Sequence, residues 1–368
     1  WALLIVDGAC ARGQVEPFLL GGARTARLFT TDHGAVLPAA TVRIPVGPMA
    51  VEDAVALLTA GLPTLPPRLI QVALRLTGRW PVLLTLVRGV VRDAVAAGAD
   101  AAAELTAVLT AVLVALRDEG VTTLAVGDPA ERGRALARTV EVALGRLSPA
   151  ERERYLELAA FGEDSDAPGD VLDTLWAHTG GWTRGQAQRF CCRLAEMGLA
   201  AECRCVGGRT VLHAALRADL GLRTAGRRAE LATALVDAHR RALPRYHGRT
   251  AWSRLPAGHH LWTALPAQLA AAGLAEELET LLSDPRWLVG KLDQAGPAGL
   301  EADLLRHGTV EAAALALTVR QNAHVLSPLE PQGSVAATLL SRLPSGDGRT
   351  ARVRQRLANA LPAVTISV

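Results

Sequence analysis

From Pro63 almost to the end of the chain, apolar residues recur at three- and four-residue spacing with few interruptions, a period that commits the chain to helices. PPRLIQVALRL, PVLLTLVRGVVRDAV and AAAELTAVLTAVLVALRDE each carry such a stripe. Only residues 1–62 read differently. There LLIV, ARLFTT and TVRIPV are short strand-like runs, alternating with the helix-like QVEPFLL and VEDAVALL. The expectation is a mainly α protein with a small α/β remnant. Its first strand, Trp1 to Val6, is a continuous apolar run of the kind buried on both faces of a parallel sheet.

Punctuation divides the helical part. Residues 63–130 read as a helical domain, with VTTLAVGDPAERG as a connection in which Asp128-Pro129 opens the next helix. Residues 131–222 hold the helices ARTVEVALGRL, PAERERYLELAAF, APGDVLDTLWAH and TRGQAQRFCCRLAEMGL. The strand-like AAECRCV and RTVLH follow, joined by Gly207-Gly208. Helices closed by a two-stranded hairpin suggest a winged helix. Residues 223–368 form a helical arm with stops at GRT, AAG, DPRW, QAGPAG and SPLEPQG, and PAVTISV reads as the start of a further β module.

At 368 residues the chain is long enough for several cores, and 39 basic against 36 acidic residues leave it nearly neutral. That balance argues against a nucleic-acid-binding surface as the dominant feature. No apolar run is long enough to cross a bilayer, so no membrane partner is expected. Five cysteines, an odd number in a chain of this size, suit a reducing, cytoplasmic setting. Cys191-Cys192 and Cys203-x-Cys205 lack zinc-knuckle spacing, because adjacent or alternate thiols point apart; small buried side chains are the expected reading.

Two features carry chemistry. WALLIVDG is a strand ending in Asp7, and ARLFTTDHG is a second strand ending in Thr30 and Thr31. A carboxylate and a hydroxyl at the C-terminal edge of one parallel sheet sit where such sheets bind ligands. An acid of this kind orders a magnesium shell in phosphoryl-transfer proteins. Taken alone, an Asp at a strand end is a weak signal, since many buried strands end in Asp for turn reasons.

Four motifs in order resemble the NB-ARC class of STAND signalling NTPases, which includes plant resistance proteins and apoptotic protease-activating factors. WALLIVDG is similar to the Walker B strand, and FTTD to the sensor strand. TGRWPVLL resembles the glycine-x-leucine-proline helix start, and TVLHAALRADL the winged-helix histidine motif. HHLWTALPAQLAAAGLAEELETLLSDPRWLVGKLDQAGPAGLEADL resembles the helical domain that precedes WD-repeat propellers in bacterial members. The resemblance implies that residues 1–62 are part of a P-loop NTPase sheet. Asp7 would order Mg through water, and Thr30 or Thr31 would face the γ-phosphate of ATP. Pro81 would line adenine, and His213 would reach the ADP phosphate. Pro81 also reads as an ordinary helix-opening proline, and His213 as a simple cap.

The resemblance implies a nucleotide-controlled switch, with other protomers as partners on activation and an unknown protein ligand acting through a propeller. Three residues depart from the class pattern: Gly8 replaces the second Walker B acid, Asp32 the arginine after the threonines, and Ala214 the aspartate after the histidine. No G-x-x-x-x-G-K-[S/T] phosphate loop is present, so the loop and first strands are expected upstream of Trp1. Rival expectations are a degenerate, non-hydrolysing interaction scaffold and a winged-helix transcription regulator using TRGQAQRFCCRLAEMG.

Overall fold

Two parallel strands open the chain: β1 (Ala2–Val6) pairs with β2 (Thr25–Phe29), in a register running from Ala2 opposite Thr25 to Val6 opposite Phe29. The crossover between them is α1 (Arg12–Leu19), as a parallel connection requires. In this computed structural model the described residues are all except 21, 23, 32, 119–128, 163–165, 204–207, 247, 327–333, 345–347, 349 and 361–368; within helices, the side chains at 113, 115–118, 129 and 130 are also left aside. Asp32, Asp128, Cys205, Gly207, SPLEPQG and PAVTISV thus lie outside the described residues, Gly333 of the fifth with them.

Helices account for 67% and strands for 7% of the described residues, so the mainly α expectation stands. Two compact units divide it, residues 1–48 and 49–368. In the first, β1 is not buried on both faces. Leu4, Val6 and Phe29 are half-buried, whereas Leu3, Ile5 and Leu28 are exposed, Leu3 at 63%. Burial on both faces needs a layer on each side, and a two-stranded pair has little to cover its second face. TVRIPV forms no strand either; Val42, Ile44 and Val46 stay exposed, with no third strand in the sheet to pair with them.

The second unit begins with α2 (Val51–Thr59), α3 (Pro67–Leu76), α4 (Pro81–Ala96), α5 (Ala101–Asp118) and α6 (Pro129–Leu144). The central helix is α4, packed against α2, α5 and α6 through Leu83, Leu84, Leu86, Val87, Val90 and Val91. The helix predicted at VEDAVALL therefore contributes its buried Ala54 and Leu58 to this unit.

Next come α7 (Pro149–Leu156), β3 (Ala167–Pro168), α8 (Gly169–Gly180), α9 (Arg184–Glu196), β4 (Glu202–Cys203), β5 (Arg209–Val211) and α10 (Ala214–Arg223). The strands form one antiparallel sheet in the order β3-β5-β4. Ser148 with Glu151 and Thr183 with Gln186 close capping boxes on α7 and α9, fixing where those helices begin. APGDVLDTLWAH is thus not helical from its first residue. Ala167–Pro168 pair with β5, and the helix starts at Gly169, whose N–H donates to Gly208 O at 2.7 Å.

Backbones touch where α4 meets the end of α9. A Cβ on Gly89 would overlap the Met197 carbonyl, and one on Gly198 (φ +76°) would lie 2.9 Å from Thr85 O. Arg193 spans the same junction, donating to both oxygens of Asp93 at 3.0 and 3.1 Å and to Glu151 at 2.7 Å.

The arm contains α11 (Arg228–Ala242), the hairpin β6 (Arg245–Tyr246) and β7 (Arg249–Thr250), and then α12 (Leu261–Ala271) and α13 (Ala275–Leu282). It continues through α14 (Pro285–His307), α15 (Val310–Gln321), α16 (Ser334–Arg342) and α17 (Ala351–Ala360). Asp284 caps α14 and Pro285 opens it, matching the stop at DPRW. Within QAGPAG, Gly296 (φ +68°, ψ 178°) leaves helical geometry and breaks α14 into two helical pieces at a kink, where the sequence reads a stop. Lys291 before the kink and Asp303 after it form a buried ion pair at 2.6 Å, with the ammonium also donating to Trp262 O at 2.6 Å. Two hydrophobic cores result. They share α11, which gives Leu231, Leu235 and Ala238 to the first and Val236 to the second.

Candidate functional site

Parallel register places Asp7 and Thr30 side by side, one residue beyond the Val6–Phe29 pair. Thr30 N–H donates to Val6 O at 3.0 Å and Ala9 N–H to Thr30 O at 2.9 Å, prolonging the pairing past the strand ends. The Thr30 hydroxyl donates to the Asp7 carboxylate and accepts the Gly8 N–H at 2.8 Å. Gly8 has φ +70°, which suits glycine, and turns the chain sharply after the acid. Asp7 and Thr30 are both exposed.

Thr31 is used locally. Its hydroxyl donates to Ala9 O at 2.6 Å and accepts the His33 N–H at 3.0 Å, which folds the loop after β2. The structure therefore brings Asp7 and Thr30 together and directs Thr31 into turn geometry.

Pro81 and His213 belong to the second unit. Pro81 is the first residue of α4, where its missing N–H costs nothing, and the preceding Arg79 takes a left-handed φ of 57°. Trp80, before the proline, lies under the Arg132 guanidinium at 5.8 Å. His213 is the N-cap of α10, its Nδ1 accepting the Ala215 N–H at 3.2 Å. Partial desolvation lowers the imidazole pKa although the side chain keeps solvent access, so the ring favours its neutral form. The helices these residues open, α4 and α10, both pack on α6.

One carboxylate and one hydroxyl are hard oxygen donors of the kind magnesium takes when phosphates and waters complete its shell. Among the described residues, no group of three His, Cys, Asp or Glu is placed to hold a metal unaided. Asp7 and Thr30 thus supply two oxygen donors at the sheet edge, and no G-x-x-x-x-G-K-[S/T] loop occurs in this sequence.

Three features escaped the sequence reading. The Cys192 and Cys203 sulfurs lie 3.6 Å apart, because β4 folds back along α9; thiols eleven residues apart give no spacing signal. Glu157 is buried beside Arg154 (2.7 Å) and Thr179 (3.0 Å), and burial pushes its carboxyl up to about 7. His239 is buried in α11 with Nδ1 2.9 Å from Leu235 O, and desolvation lowers its pKa to about 4. None of the described helices is long and apolar enough to cross a membrane. No family model and no curated protein matches the chain.

Proposed function

We propose that this chain is part of a nucleotide-controlled signalling switch of the NB-ARC type, in which bound ADP holds the winged-helix portion closed. The observation that carries the reading is the Asp7–Thr30 pair at the C-terminal ends of adjacent parallel strands. In the first unit, Asp7 orders the water shell of Mg and Thr30 orients Asp7. The resemblance assigns Pro81 to the base and His213 to the ADP phosphate; in the second unit these two open α4 and α10, and His213 has Nδ1 committed to its own helix. The order of α8, α9 and the β3-β5-β4 sheet supports the winged-helix assignment of 131–222.

Energetics limit each part. A hydrogen bond to a charged phosphate contributes about 1.5–3 kcal/mol. Inverting a two-state population from 1:99 to 99:1 needs about 5.5 kcal/mol of differential affinity. His213 is therefore one contributor among several.

The 368 residues alone are expected to bind Mg-ADP weakly or not at all, because the backbone cradle that supplies most phosphate affinity is missing from them. In a longer chain that places a phosphate loop ahead of Trp1, Asp7→Asn and His213→Ala should each weaken ADP binding about 10- to 100-fold by calorimetry. Micromolar binding by residues 1–368 alone, or unchanged affinity in both variants, refutes the reading.

One observation favours a second reading, a non-hydrolysing scaffold. Thr30 is bonded to Asp7 and Thr31 to its own loop, while Gly8 and Ala214 replace acids of the class pattern. In a longer chain, an eroded phosphate loop ahead of Trp1 favours this scaffold and an intact one favours the switch. For the transcription-regulator alternative, the candidate recognition helix α9 spends Arg193 on Asp93 and Glu151, and Arg184 on Asp173 at 3.3 Å. Arg189 stays exposed, but α9 buries Ala187, Phe190, Cys191 and Leu194 in the core, and a nearly neutral chain weighs against this alternative.

A further inference from the structure

We propose that Cys192 and Cys203 form a thiol-oxidation site, at which a small disulfide of the glutathione class converts them into an intramolecular disulfide joining α9 to β4. Their sulfurs are 3.6 Å apart, at van der Waals contact, so bond formation needs only a short approach and no rearrangement of the elements that carry them. Neighbouring cysteines on α9 divide the work. Cys191 is buried in the core, whereas Cys192, about 100° around the helix, is half-buried and meets the sheet.

Access comes from the other side. Cys203 lines a cavity of about 410 Å³ bounded by α8, α9 and the sheet, with Arg184, Arg209 and the edge of Cys191 also in its wall; the Cys192 sulfur, 3.6 Å from that of Cys203, is the partner in contact. Arg184 and Arg209 are already paired with Asp173 and Asp166 at 3.3 and 3.0 Å, so it is the cavity, not charge, that sets Cys203 apart from Cys192. Cys203 is therefore the attacking thiol and Cys192 the resolving one.

The Cys203 thiolate attacks one sulfur of the small disulfide, forming a mixed disulfide and expelling one thiolate. The Cys192 thiolate then attacks the Cys203 sulfur and expels the second. Two protein thiols lose two electrons and two protons, and the reagent is reduced to two thiols. The closed loop fixes β4 against α9. Because Cys203 is paired with Thr210 in β5, it also restrains the strand that leads into His213.

This inference does not depend on the nucleotide reading. The test incubates the purified chain with excess oxidised glutathione, alkylates the remaining thiols and digests with trypsin without reduction. Peptides FCCR (190–193) and LAEMGLAAECR (194–204) should appear linked, and the oxidised protein should melt several degrees higher than the reduced protein. The link should survive in Cys191→Ser and Cys205→Ser and vanish in Cys192→Ser and Cys203→Ser. Linkage to CVGGR (205–209), or persistence of the link in Cys192→Ser, overturns the proposal. So does its absence when the exposed Cys10 has become glutathionylated, which shows the reagent was effective.

Discussion

Glu157 and His239 are nearly as buried as each other, 4% and 3% exposed, yet burial acts on them in opposite senses because it disfavours whichever form is charged. Glu157 titrates near 7 in the fold, so its contribution is full below about 4.5 and is lost as pH rises through 7. His239 titrates near 4, so its contribution is full above about 6.5 and is lost as pH falls through 4. Between pH 7 and 5 each changes stability by about 2 kcal/mol, with opposite sign. The wild-type protein should therefore show a shallow acid dependence that conceals two steep ones. Glu157→Gln should expose the histidine: its unfolding free energy in urea should fall by about 2 kcal/mol more than wild type from pH 7 to 5. Equal slopes for the two proteins would contradict this. Single residues were also where the sequence spoke most clearly. Asp7 and Thr30 could be placed together because a parallel register aligns strand ends, and the capping reading of His213 needed only the helix that follows it. Neither Glu157 nor His239 advertises itself, since each is one polar residue on a helix whose buried face is set by neighbours far along the chain.

At the scale of elements, the decisive contact is the crossing of α4 and α9, where backbone meets backbone without intervening side chains. Gly89→Ala would force its methyl onto the Met197 carbonyl and should destabilise the protein by about 2 kcal/mol or more. Gly133→Ala, inside α6 with open space around the added Cβ, should be neutral or stabilising by up to about 1 kcal/mol. Thermal melts of the pair make a direct check, because the same chemical change carries opposite signs at the two places. Helices were legible from their apolar period, and DPRW from its stop signal, although that stop did not single out Asp284 and Pro285 as the head of α14. Strands were not. Ala167–Pro168 is too short to display an alternation, and only pairing with β5 makes it a strand. TVRIPV has strand composition but no partner, so its propensity goes unused.

On the scale of the whole molecule, the two units differ sharply in what they bury. Among the described residues of 1–48, only Ala9 and Val15 are buried apolar side chains, whereas the second unit contains two extensive cores sharing α11. A unit with so little interior opens readily, so amides of β1 and β2 should exchange with solvent about a hundredfold faster than those of α4. Equal protection in hydrogen-exchange mass spectrometry would show that 1–48 is held by more than its own packing. This contrast was hidden from the sequence, where LLIV and ARLFTT look as apolar as any core strand. The period of a segment reports which faces want cover, not whether cover is present.

The ion pair across the kink of α14 has a practical corollary. Lys291 is the only lysine in the sequence, and it is 1% exposed. Reagents that acylate side-chain amines should leave the native interior untouched and tag that one nitrogen only when the second core comes apart. The kinetics of a single mass increment on its peptide would then time that opening directly, without any introduced probe.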